Sequence, residues 1–214
     1  YSLWESINEV ITYLSKTKPD SIELELAKKA FSCFEPYNRH PESYAMSSVN
    51  LSQACVDEVS KLLTSIRSHE ENYKDPQELD LNLKINAMVV QNAEEYYRAM
   101  VQSDDLSWNV RDEHMVEAIN EILDYHGNEA KIIIWEHNTH IGDASATDME
   151  AAGMINVGQI LRQQNRKENV YAVGFGTNRG TVIAADDSRI AYNQIDVPPA
   201  MKDSWEAALH NTGA

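Results

Sequence analysis

Neither Gly-x-Ser-x-Gly, nor His-Glu-x-x-His, nor Cys-x-x-Cys occurs in these 214 residues. The first absence excludes a nucleophile elbow of the α/β-hydrolase type. The others remove the helix-borne zinc pair of metalloproteases and the commonest dithiol spacing. Cysteine is scarce: Cys33 and Cys55 lie in different predicted helical segments without metal-ligand spacing. They could pair, but two buried thiols are the expected state, and they do not set the redox compartment. No apolar run reaches the length of about 18 residues that a transmembrane helix needs. The N-terminus, Tyr1-Ser2-Leu3-Trp4-Glu5, has no methionine, basic region or apolar core, and reads as the start of a fragment or processed chain. A cytoplasmic location is expected. Basic residues are also few, 18 against 34 acidic ones, for a net charge of −16. Such a chain repels phosphate backbones and anionic bilayers, so neither a nucleic-acid nor a membrane partner is expected.

What is present is the composition of an ordinary globular protein, with 43% hydrophobic and 24% charged residues. The first 126 residues carry helical periodicity. Leu3, Ile7, Val10 and Leu14 share a stripe after Ser2, and Leu24, Ala27, Ala30 and Phe31 follow a cap at Asp20 or Ser21. Pro36, Asn38 and Pro41 mark a loop. Helical spacing predicts further helices from Ser47 to Tyr73, from Asp75-Pro76 through Val101, and from Val110 to His126, where Gly127 closes the last. Beyond that point the pattern changes. Lys131–Trp135, Val170–Gly174 and Thr181–Ala185 read as strands, with a helix from Asp148 to Gln164 and a short amphipathic segment at Trp205–Leu209. The predicted fold class is therefore α/β, a large helical region (1–126) followed by a partial, mostly parallel sheet segment (127–214).

The chemistry concentrates after Trp135. Glu136, His137, Asn138, His140 and Asp143 follow an apolar run whose carboxyl end is where open α/β sheets place ligands. Two imidazoles three residues apart can polarise a carbonyl or shuttle a proton, and Glu136, Asp143 or Asp148 can orient them. The plainer alternative is one histidine capping the strand end and the other facing solvent. His-x-x-His supplies only two metal ligands, so no metal and no cofactor are expected. Arg111 and Asp112 form a second candidate pair. With Asn109 as helix cap, Arg111 would sit in a first turn whose dipole disfavours a cation, so it needs an anionic partner. The run Gly174-Phe175-Gly176-Thr177-Asn178-Arg179-Gly180 opens a strand instead of a helix and is read as a turn, not a dinucleotide site.

Together these strings resemble the erythromycin esterase family. The likeness rests on Ile132 through Ala144, Thr147-Asp148-Met149, Val173 through Thr177, Arg179-Gly180-Thr181, Asn109-x-Arg111-Asp112-x-x-Met115, Ser204 through His210 and Cys33 through Tyr37. Members are often labelled succinoglycan biosynthesis proteins as well. The resemblance implies an α/β core with a helical portion bordering the cleft. It also implies hydrolysis of a macrolide lactone or related small-molecule ester by water, without a covalent intermediate. The family's base is a histidine in a Gly-Glu-x-x-His-Gly motif, absent from this sequence. The remaining N-terminal and C-terminal parts of the same polypeptide are thus expected partners. His137 and His140 carry over as catalytic, Arg111 and Asp112 as supporting, and Glu136 stands where many relatives are expected to have a small residue. Two rivals compete: a binding module for a hydrophobic or glycan ligand, and a metal-dependent hydrolase.

Overall fold

The computed structural model describes residues 2–49, 55–69, 79–185 and 192–212. Leu3, Ile7, Val10 and Leu14 form the buried stripe of α1 (Leu3–Thr17). Ser2 precedes it, but only its backbone oxygen is used, accepting from Ser6 N. Ser21 does cap α2 (Ile22–Phe34), its hydroxyl accepting from Leu24 N at 3.2 Å. The loop expected around Pro36 and Pro41 is instead a 3₁₀ turn, Glu35–Tyr37, leading into α3 (Pro41–Ser48). Proline at a first helical position loses no needed hydrogen bond, which is why Pro41 starts a helix here.

The helix expected from Ser47 to Tyr73 is divided. α3 ends at Ser48, and α4 (Val56–Ser68) follows Cys55, with 50–54 and 70–78 outside the described residues together with the expected start at Asp75-Pro76. α5 (Leu79–Met100) and α6 (Asp104–His126) are the long helices, and Gly127 ends the second at a φ of 85°. Helices α1 to α5 share one core. In it the fully buried Tyr44 donates to Glu94 Oε1 at 2.6 Å and accepts from Cys55 N at 3.0 Å. Arg98 Nε neutralises the same carboxylate at 2.8 Å, which pays the cost of burying it.

Cys33 and Cys55 are not thiols. They form a disulfide with their Cα atoms 6.0 Å apart, tying the last turn of α2 to the start of α4. Sequence separation alone could not decide this, because the packing of α2 on α4 brings the two sulfurs together. A closed loop of this length contributes about 2–4 kcal/mol. Replacing both cysteines by serine should lower the unfolding free energy by about that amount in a urea titration. Such bridges persist in oxidising surroundings and are rare in cytosolic proteins.

The sheet expectation is corrected. The described residues are mostly helical, and their only sheet is an antiparallel hairpin of β1 (Gly180–Ala185) and β2 (Tyr192–Val197), with Gly180 opposite Val197. Residues 131–137 and 170–177 lie outside any helix or strand and pair with no described strand. A short apolar run shows that a segment is fit for a sheet, while the ladder depends on a neighbour the pattern does not name. Ile133 and Trp135 are accordingly 94% and 84% exposed, where a buried strand was expected. The helix expected from Asp148 also shortens to α8 (Val157–Gln164), preceded by 3₁₀ turns at Ala144–Ala146 and Glu150–Ala152.

Two compact units result, Tyr1–Tyr171 and Ala172–Ala214. Residues 127–171 thus belong with the helices, and the second unit holds the hairpin and the amphipathic tail helix, Trp205–Asn211. No described helix is long and apolar enough to cross a membrane.

Candidate active site

α6 begins at Asp104, six residues earlier than the sequence suggested, with Ser103 as its cap. Trp108, Arg111 and Asp112 consequently lie inside the helix at i, i+3 and i+4, on one face. Below them the same helix buries Val116 and Ile119 against Val157 and Leu161 of α8. Asn109, freed from capping, clamps the chain entering α8. It donates to Gly153 O and accepts from Ile155 N, both at 2.9 Å. Trp108 Nε1 donates to Ile155 O at 2.7 Å.

His140 belongs to the one-turn helix α7 (Asn138–Ile141), and three contacts hold that turn in place. Asn156, the cap of α8, donates to Thr139 O at 2.7 Å and accepts from Ala144 N and Gln159 N. Arg162 donates to Gly142 O at 2.8 Å. Gly158 lies so close to the end of α7 that a Cβ there would overlap Gly142 O and Ile141 O. Sequence reasoning passed over all three residues. Their one visible signal was Asn156 three residues before Gln159, a capping-box spacing.

Asp112 is fully buried, and its Oδ2 accepts from Val157 N at 3.2 Å and meets His140 Nδ1 at 2.9 Å. A carboxylate there places the imidazole proton on Nδ1 and leaves Nε2 with its lone pair. Nε2 faces Arg111 Nη2 at 3.3 Å. The indole of Trp108 stacks on the imidazole with centroids 4.7 Å apart and planes within 3°, and Arg111 Cζ lies 4.7 Å from an indole ring centroid. Burial pushes the Asp112 carboxyl above its ordinary range, against the pull of the His140 hydrogen bond. Glu136 points inward beside Ile134, and burial raises it too, with His140 opposing and the Asp112 charge adding.

The other expected residues are placed differently. His137 is exposed, and its Nδ1 accepts from Thr139 N at 3.3 Å, capping α7. Asn138 is exposed on the same turn, and Asp148 is exposed beyond it. Asp143 is engaged locally by Ser145, through both N and Oγ. His114, which the sequence reading did not single out, lies on α6 and meets Asn92 of α5, and burial brings its imidazole down to about 4. A cavity of about 290 Å³ between α4, α5 and α6 lies further along α6, lined by Ile66, Lys84, Glu121 and Tyr125, and contains none of the site residues. Among the described residues, no three His, Cys, Asp or Glu side chains gather as a metal-binding group.

The family model described as erythromycin esterase matches residues 1–214, the whole chain. No solved structure matches it.

Proposed function

Because the chain belongs to the erythromycin esterase family, we propose that it forms part of a hydrolase cleaving a macrolide lactone or related carboxylic ester by water attack. The observation that carries this reading is His140, fixed by Asp112 at Nδ1 and by Trp108 across its ring, with the lone pair of Nε2 turned to Arg111 Nη2 at 3.3 Å. An imidazole locked in one tautomer by a buried carboxylate is the usual device for moving a proton to or from a reacting oxygen.

The reaction balances as follows. Water adds to the ester carbonyl carbon and gives up one proton, and collapse of the tetrahedral adduct breaks the bond to the alkoxide. That same proton ends on the alkoxide, relayed through His140 Nε2. The base that first takes it from water is a histidine outside these 214 residues, as the family resemblance implies. His137 borders the site on the solvent side and supports the turn that carries His140.

The test is to incubate the intact polypeptide with macrolides and simple aryl esters in ¹⁸O water and to follow the products by mass spectrometry. One ¹⁸O in the released acid and no acylated protein are expected. A protein that turns over no ester, or one trapped as an acyl adduct, contradicts the proposal.

A further inference from the structure

Three buried polar atoms around His140 have no hydrogen-bond partner among the described residues: Arg111 Nε, Asp112 Oδ1 and Glu136 Oε2. Arg111 is the cation among them. Arg67 bonds Glu117 and Glu121, Arg98 holds Glu94 through both oxygens, and Arg39 pairs with Glu5. Arg111, in a chain with 34 acidic residues, meets no carboxylate within hydrogen-bond distance. The Asp112 Oδ1 beside it lies 3.9 Å away, and its closest acceptor is His140 Nε2 at 3.3 Å. The side chain is 36% exposed, so solvent and ligands reach it, while the indole beneath fixes its direction.

This pairing changes during the proposed reaction. In the resting state Arg111 donates to the lone pair of Nε2. Once Nε2 takes a proton it stops accepting, and two like charges then face each other across 3.3 Å. The guanidinium needs a new anionic acceptor at that point in the cycle, which is when negative charge builds on the former carbonyl oxygen. A planar fork of N–H donors is suited to an oxyanion or carboxylate.

We propose that Arg111 is a catalytic residue whose N–H groups bind the oxyanion of the tetrahedral adduct, and afterwards the carboxylate of the product. The step involves no electron transfer. The carbonyl π pair moves onto oxygen as the water oxygen bonds to carbon, Arg111 donates to that oxygen, and the pair returns when the bond to the alkoxide breaks. This rests on the ester-hydrolase reading.

The test separates the two. The intact protein is titrated calorimetrically with an alkyl methylphosphonate monoester, a tetrahedral anion, and with the neutral dialkyl diester. Arg111→Gln should weaken the monoester at least about 10-fold and leave the diester unchanged, Arg111→Lys should retain part of the affinity, and kcat on an aryl ester should fall about 10²-fold in Arg111→Gln, the usual loss for one oxyanion donor. Equal binding of monoester by wild type and Arg111→Gln, equal loss of both probes, or no monoester binding by wild type overturns the inference. So does wild-type ester turnover that Arg111→Gln leaves intact, and the hydrolase reading then survives. Arg111-dependent monoester binding without ester turnover keeps the anion site and removes the hydrolase.

Discussion

Asp112→Asn is expected to reduce ester turnover by the intact protein about 10²–10⁴-fold, the range over which a positioned acid–base group acts. The replacement keeps the size of the side chain, and an amide oxygen can still accept from Val157 N. It then presents an NH₂ group to His140 Nδ1, where the carboxylate had accepted at 2.9 Å. The imidazole must move its proton to Nε2, and that N–H then points at Arg111, a pure donor. The proton-relaying atom is lost without removing any atom of the imidazole. Two measurements check this: kcat, and the ¹⁵N shifts of His140, which should exchange between Nδ1 and Nε2. Retained tautomer and retained turnover would show that Asp112 serves packing alone.

Gly158→Ala is expected to have the second largest effect, through a backbone contact. The added methyl meets two backbone carbonyls, Gly142 O and Ile141 O, which cannot rotate away as a side chain would. α8 must back off from α7, weakening the Arg162 bond to Gly142 O and the Asn156 bond to Thr139 O. Overpacking of this kind costs about 1–3 kcal/mol. Turnover should fall at least about 10-fold, because small misplacements of a reacting group are costly. Gly153→Ala serves as a control: its φ of 70° strains the backbone of an exposed turn, but nothing lies within 4 Å of the added carbon. A loss in stability without the loss in turnover is expected there. Equal activity loss in the two variants would show that the α7–α8 contact does not position His140.

Local signals were largely legible in the sequence. The apolar stripes of α1 and α5, the cap at Ser21 and the stop at Gly127 follow from spacing and terminal chemistry within a few residues. The true start of α6 was also written locally, as Ser103 followed by Asp104 and Asp105, a cap with an acidic first turn. Reading Asn109 as the cap instead put Asp112 in a solvated first turn and hid the buried carboxylate.

What could not be read locally depends on distant partners. The run Ile132–Trp135 is fit for a sheet, yet no described strand lies beside it. The disulfide required knowing that α2 packs on α4. The sequence singled out His140, Asp112 and Arg111, which the fold brings together, but grouped His140 with His137 because they are neighbours in the chain. Glu136 is half-buried with its Oε2 shielded from solvent, while His137 is exposed. The neighbours that matter to His140 come from 28 and 32 residues upstream, Asp112 and Trp108.

In the proposed hydrolase the site is organised around His140 and not around the His137–His140 pair. Ester turnover by intact His140→Gln and His137→Gln, measured side by side, tests it most directly. A loss of at least about 10²-fold is expected for His140→Gln, with His137→Gln remaining within several-fold of wild type. Full activity in His140→Gln, or a larger loss in His137→Gln, would contradict it.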